Sequence, residues 1–283
     1  MGGIVELKKQ LPPHPCFHEH ARGVYGRVHL PVAPGCNIQC GYCSRACDCP
    51  NESRPGVTSS VMEPDEAAAY LRKTLRLMPF VSVAGIAGPG DAFCDPKRTL
   101  ETLELIRRAH PRLNLCLSTN GLGIGPYIDE LIRLRVGFVT VTVNAARPET
   151  GARIYEYVRG GALILRGSEG ARLLLERQME AIAALRAGRI AVKVNTVLIP
   201  GVNDGEIEPI ARRVSVLGAD LMNVIPVIAV PGTPLYGAPP VPPSVLRKLR
   251  RAAEKYIPQM RHCARCRADA AGLLDCGGRL KRV

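Results

Sequence analysis

Three cysteines fall within eight residues, Cys36-Asn37-Ile38-Gln39-Cys40-Gly41-Tyr42-Cys43, at the spacing C-x3-C-x2-C. Four thiolates normally saturate a 4Fe–4S cluster. A loop that supplies three leaves one iron open to a small chelating ligand. Tetrahedral zinc is the competing reading of any cysteine cluster, but the x3/x2 asymmetry departs from finger spacing and favours iron–sulfur. Cys263-x2-Cys266 alone stays open among zinc, a redox pair and a cluster. The order His262-Cys263-x2-Cys266 is reversed from haem attachment, which excludes a c-type haem. The chain carries 11 cysteines. An odd number without a secretory leader does not form a disulfide framework. Lys8 and Lys9 are not followed by an apolar run with a cleavage site, so no leader is expected.

Something must position these residues. Apolar runs rich in Val, Ile and Leu occur at 27–32, 81–86, 113–117, 138–143, 190–199 and 221–228. Such runs suit parallel strands buried on both faces. Helical patterns lie between them, at 64–78, 97–109, 127–134, 170–187 and 206–217, with Asp204 placed to cap the last. Strand–helix alternation predicts an α/β fold with a parallel sheet. Six runs fall short of a closed eight-stranded barrel, leaving a partial barrel or a doubly wound sheet; both gather ligands at the strand carboxyl ends. Gly88-Pro89-Gly90-Asp91, Ser118-Thr119-Asn120-Gly121 and Asn144 each follow a run directly. The Pro-rich stretch 230–243 reads as an extended connector to a short helix and a cysteine-bearing tail.

The 283 residues, 46% hydrophobic, are enough for a sizeable core and exclude a disordered chain. No apolar stretch is long enough to span a membrane. Trp is absent and aromatics are 4%, which argues against an aromatic nucleic-acid platform. The net charge of +13 reads either as a solvated basic surface or as a face for anionic cargo.

The cysteine loop resembles that of the radical S-adenosylmethionine (SAM) superfamily, whose fold is a partial (β/α)6 barrel. The chain continues with Asp48-Cys49-Pro50-Asn51-Glu52-Ser53-Arg54-Pro55-Gly56-Val57. Together with His14-Pro15-Cys16, the 85–91 and 116–121 segments and Arg261-His262-Cys263-Ala264-Arg265-Cys266, this is similar to the NifB family of nitrogenase-cofactor maturases. Matching segments run from about His14 to Leu274. The chain ends soon after, as in the short form without a NifX-like carboxy-terminal domain. The expected organisation is a cluster-binding extension (1–26), the barrel (27–229), and a connector, helix and cluster-binding tail (230–283), integrated as one domain.

The resemblance implies roles for particular residues. Cys36, Cys40 and Cys43 hold the SAM-binding cluster, and Tyr42 touches the adenine. Cys16, Cys263 and Cys266 receive one incoming 4Fe–4S unit, K2. His29, Cys49 and Cys116 receive the other, K1, with His18 and His20 competing for the histidine role. Gly88, Pro89, Gly90 and Asp91 meet the methionine end of SAM, and Ser118, Asn120, Asn144 and Asn195 its ribose or carboxylate. Ile225 and Pro226 pack on adenine. Arg54 offsets cluster charge, and Glu52 is the candidate for deprotonating a methyl intermediate. Cys47, Cys94 and Cys276 fit no family position; Cys47 could exchange roles with Cys49, and Cys94 and Cys276 read as structural thiols.

The implied activity is a radical-SAM carbide-inserting synthase of transferase/lyase type. It methylates K2 from one SAM, abstracts hydrogen using a second, and fuses K1 and K2 with one more sulfur into an 8Fe–9S–C precursor of the nitrogenase cofactor. Its cofactors are SAM and 4Fe–4S clusters at three sites, two of them substrate units. Its partners are an electron donor and a NifX-type carrier or NifEN scaffold, with neither nucleic acid nor membrane. The missing leader and the reduced thiols point to the cytoplasm. A radical-SAM enzyme with auxiliary clusters, such as a methylthiotransferase or peptide modifier, is the alternative. A zinc-containing nucleic-acid binder is the remote one.

Overall fold

The six apolar runs form neighbouring parallel strands. β1 (Gly26–His29), β3 (Val81–Ile86), β4 (Asn114–Thr119), β5 (Phe138–Thr142), β8 (Ala191–Leu198) and β9 (Leu221–Pro226) lie side by side in that order. A two-residue strand from the tail, β10 (Ala271–Gly272), pairs antiparallel with β1. The computed structural model describes residues 12–58, 60–228 and 230–274, so Cys276 lies outside the described residues. Helices α1 (Pro64–Leu77), α2 (Pro96–Ala109), α3 (Ile128–Arg133), α4 (Pro148–Ile154), α5 (Gly167–Ala187), α6 (Ile207–Val216) and α7 (Pro243–Glu254) alternate with the strands. Apolar side chains of strands and helices merge into one large cluster that includes Leu71, Leu103, Leu117, Val141, Ile182 and Val194. The sheet curls into an open partial barrel rather than a doubly wound sheet.

Local chemistry fixes the helix starts. Pro stands in the first turn of α1, α2, α4 and α7, where its missing N–H costs nothing. Asp95 caps α2 by accepting from Arg98 N at 3.3 Å. Asp204 does not cap α6. It opens a 3-10 turn, Asp204–Glu206, and its carboxylate accepts from Gly201 N. The first strand is shorter than its apolar run. Pairing with β3 ends at His29, because Pro31 has no donor for the ladder and Pro34 follows.

The strands are not apolar on both faces, as the runs suggested. Val28, Ala84, Leu117, Val141, Val194 and Val224 point outward into the helix-covered core. The intervening Arg27, His29, Gly85, Cys116, Ser118, Thr140, Lys193, Asn195 and Asn223 line an inner cavity. Period-2 alternation turns each second side chain inward, and the barrel interior is the ligand space.

A second, antiparallel sheet holds the cysteine loop. It contains β2 (Ile38–Cys40), β6 (Tyr155–Gly160) and β7 (Leu163–Leu165). Gly41 N donates to Ile154 O at 2.7 Å, so the middle of the C-x3-C-x2-C segment is backbone-bonded to the end of α4.

Candidate active site

The three thiols of the loop converge on a pocket at the carboxyl ends of the strands. Cys36, Cys40 and Cys43 line it with Cys49, Arg45, Asn51, Glu52, Gly90, Asp91, Ser118 and Asn120. Each of the three sulfurs has its own N–H donor. Asn120 Nδ2 donates to Cys36 Sγ at 3.7 Å, Asn51 Nδ2 to Cys40 Sγ at 3.9 Å and Arg45 Nη2 to Cys43 Sγ at 3.4 Å. Burial pushes the Cys36 thiol up to about 11, and raises Cys40 and Cys43 as well. The metal-free thiols therefore keep their protons, and cluster binding must release them. Three inward thiols, each with a donor to offset thiolate charge, fit a cysteine-ligated iron–sulfur cluster. Among the described residues, no three His, Cys, Asp or Glu side chains are gathered closely enough for a single metal ion.

The Gly-Pro-Gly turn acts as a backbone seam against this loop. Gly90 N donates to Ala33 O at 2.6 Å, Asp91 N to Gly35 O at 2.7 Å and Cys49 N to Pro89 O at 2.9 Å. A Cβ on Gly90 would stand 1.9 Å from Gly35 O, so no side chain fits there. Asp91 is buried, and its carboxylate accepts from Asn120 N, Phe93 N and Thr119 Oγ1.

Behind the pocket lies the inner cavity, about 50 Å³ and partly open to solvent. Cys16, His29, Cys116, Cys263 and Cys266 share its wall with His14, Arg27, Lys193 and Arg265. Glu52 and Ser118 line both spaces and form the partition between them. Glu52 Oε1 accepts from Thr142 Oγ1 at 3.1 Å and Oε2 from Asn195 Nδ2 at 3.0 Å. Burial pushes its carboxyl up to about 7, opposed by the charge of Lys193.

His29 is prepared as a neutral ligand. Its Nδ1 donates to Arg267 O at 2.9 Å, which leaves the Nε2 lone pair free. Burial, then the charge of Arg27, lowers it to about 4. Burial pushes Cys16 up to about 11 and Cys116 up to about 12. Arg27 Nη2 donates to Cys266 Sγ at 2.7 Å, and Nη1 to the carbonyl of Gly272. The left-handed backbone of Arg265 (φ 49) turns the chain between Cys263 and Cys266. Its guanidinium bonds Pro226 O and Pro50 O at 2.7 and 3.3 Å. His262 bonds Pro15 O at 3.0 Å, which ties the tail to the amino-terminal segment.

Placement separates the candidate residues. His18 and His20 are exposed, whereas His29 faces the cavity. Cys49 stands on the wall of the outer pocket with the loop thiols, away from His29 and Cys116. Gly90, Asp91, Ser118 and Asn120 line the outer pocket and Asn195 the inner cavity. Tyr42, Asn144, Ile225, Gly88 and Pro89 line neither. Tyr42 is fully buried, donating to Asn51 Oδ1 and accepting from Asn144 Nδ2, and Asn144 Oδ1 accepts from Val197 N. Their polar atoms are used inside the core, where they brace the loop. Arg54 is exposed. The positive charge beside the thiols comes instead from Arg27, Arg45, Lys193 and Arg265. The sequence reading passed over all four, although Arg27 and Lys193 carry a signal, the period-2 pairs Arg27-x-His29 and Lys193-x-Asn195. Cys94 is exposed and Cys47 partly buried.

Comparison with known proteins agrees with this geometry. A family model described as Radical SAM superfamily matches residues 30–214. The chain superposes on methylornithine synthase (TM-score 0.54, 16% identity, covering 100% of this chain and 85% of that one). It also superposes on Streptococcus suis SuiB bound to S-adenosylmethionine (TM-score 0.58, 14% identity, covering 81% and 48%). The fold and the cysteine loop thus define a radical-SAM protein, which implies a 4Fe–4S cluster and SAM as cofactors. The chain is 49% identical over 261 residues to the FeMo cofactor biosynthesis protein NifB of Chlorobaculum tepidum, covering 92% of this chain and 62% of that one. It is 44% identical over 266 residues to NifB of Methanocaldococcus infernus, covering 93% and 86%. Within the superfamily, the chain belongs to the NifB family. It spans 62% and 55% of the first two relatives, from Chlorobaculum and Bradyrhizobium. Among the described residues, no helix is long and apolar enough to cross a membrane.

Proposed function

We propose that the chain builds the 8Fe–9S–C precursor of the nitrogenase iron–molybdenum cofactor from two 4Fe–4S units, one sulfur and a carbon from SAM. The observation that carries this is a pair of adjoining spaces with one partition. One holds the three loop thiols. The other gathers Cys16, His29, Cys116, Cys263 and Cys266 from both chain ends and the barrel interior. A radical-SAM enzyme that modifies a peptide with auxiliary clusters would share the loop but would not need Cys49, Cys116 and His29 as a set.

When bound, the cluster and SAM supply a methyl group for transfer and one-electron chemistry that abstracts hydrogen from carbon. Cys36, Cys40 and Cys43 hold the cluster; Gly90, Asp91, Ser118 and Asn120 shape the SAM side. In the inner cavity, Cys16, Cys263 and Cys266 take the K2 substrate unit, and His29 and Cys116 take K1. Cys49, one wall away, completes the K1 set from the outer side. Glu52 faces both spaces, and a carboxyl with a value of about 7 suits proton removal from a methyl carbon at the partition. The fixed barrel wall holds the reacting groups near contact, and the enclosed cavity limits water. The amino-terminal extension, barrel and tail act as one domain. The reaction requires an electron donor and a carrier or scaffold of NifX or NifEN type in the cytoplasm to accept the product.

The test is SAM turnover under anoxia with reconstituted clusters and a strong reductant. The expected result is both S-adenosylhomocysteine and 5′-deoxyadenosine from the parent chain, with Cys263→Ala abolishing the first. 5′-Deoxyadenosine alone, indifferent to Cys263→Ala, overturns the substrate assignment.

A further inference from the structure

Lys193 is assigned no contact with cargo above, yet it is buried in the wall of the inner cavity. It sits on β8 between Val192 and Val194, both fully buried on the outer face, so alternation turns it into the inner cavity. Only 8% of the residue is exposed. Among the described residues its Nζ has no hydrogen bond or salt bridge, and it stands 5.6 Å from the centroid of the Phe17 ring. The groups whose charge acts on it are Cys16, Glu52, Cys263 and Cys116. Among the described residues, Glu52 is the one acid on the cavity wall, and its oxygens already accept from Thr142 and Asn195. A thiolate-ligated four-iron unit gives the ammonium further partners, because it carries net negative charge and sulfides that accept hydrogen bonds.

We infer that Lys193 is the substrate-binding counter-charge of the inner cavity, whose ammonium faces the anionic iron–sulfur units taken by Cys16, Cys116 and Cys263. This rests on the reading that the cavity receives such units. It adds a residue that selects cargo by charge, beside the ligands that select it by coordination. A lysine suits this task better than an arginine because its compact ammonium directs three donors at different sulfides. Arg27 is already committed to Cys266 and the tail carbonyls.

The test uses the full chain, loaded anoxically with ferrous iron and sulfide and then desalted. Parent, Lys193→Met and Lys193→Arg proteins are compared by iron per chain, by Mössbauer spectroscopy and by the SAM-induced change in the cluster EPR signal. Melting of the metal-free forms is measured in parallel. The parent is expected to hold more than the about four irons of the SAM-binding cluster. Lys193→Met keeps those and their response to SAM but loses the excess; Lys193→Arg retains part of it. Metal-free Lys193→Met keeps a cooperative melting transition, which shows that it folds. Equal loading of Lys193→Met and parent overturns the inference while leaving the cavity reading intact. A parent that never exceeds about four irons overturns the cavity reading, and the inference with it.

Discussion

Gly90→Ala puts the backbone seam to a direct test. The added Cβ would lie 1.9 Å from Gly35 O, 2.6 Å from Gly35 C and 3.0 Å from Ala33 O. These are backbone atoms, so no side chain can swing aside. Relief requires the 33–35 segment to move by more than an ångström, which breaks the Gly90 N–Ala33 O and Asp91 N–Gly35 O bonds. Overpacking costs about 1–3 kcal/mol and each lost bond about 1 kcal/mol, giving about 3–5 kcal/mol in all. At about 2–4 °C per kcal/mol for large domains, the melting temperature falls by roughly 6–20 °C. Because Cys36 follows Gly35, the shift also moves the first thiol of the cysteine loop. Calorimetry on the metal-free, reduced protein measures the first effect, and iron retained after reconstitution measures the second. Gly137→Ala is the control: its Cβ meets nothing within 4 Å, and its melting temperature stays near the parent's. If Gly90→Ala melts within about 2 °C of the parent and keeps its iron, the seam does not register the cysteine loop.

Two further outcomes are expected. Arg45→Met removes the guanidinium donor 3.4 Å from Cys43 Sγ. The reduced, more negative cluster loses more stabilisation than the oxidised one, so the midpoint in an EPR redox titration moves to more negative potential; an unchanged or higher midpoint refutes the role. Away from the site, burial tends to raise Glu206, but hydrogen bonds from Arg147, Ala146 N and Thr150 outweigh it and hold the carboxyl below its ordinary value. A lowered acid stabilises the fold above its unfolded value and loses that contribution as pH falls through the folded one. Glu206→Gln therefore lowers the melting temperature at neutral pH and converges on the parent in acid; a constant difference across pH contradicts this.

The chain's local chemistry declares much of the protein. Six apolar runs became six parallel strands, and C-x3-C-x2-C became a loop with three inward thiols, because strand preference and ligand spacing are short-range properties. The antiparallel sheet of β2, β6 and β7 was not legible, since β2 and β7 are three residues each and β2 gains its order from β6, more than a hundred residues away. Asp204 failed as a cap because a 3-10 turn intervenes and uses its carboxylate locally. The site divided in the same way. Cys16, Cys263 and Cys266 could be named from motifs, but their common wall with His29 and Cys116 exists only once the tail lies against β1. Of the three histidines, His29 alone lines the lumen while His18 and His20 are exposed, a placement set by strand alternation. Arg54 lost its expected place to Arg27, Arg45, Lys193 and Arg265. Sequence determines which side chains can bind a cluster; which of them face it, and which cations face them, depends on strand alternation and long-range packing that no local window contains.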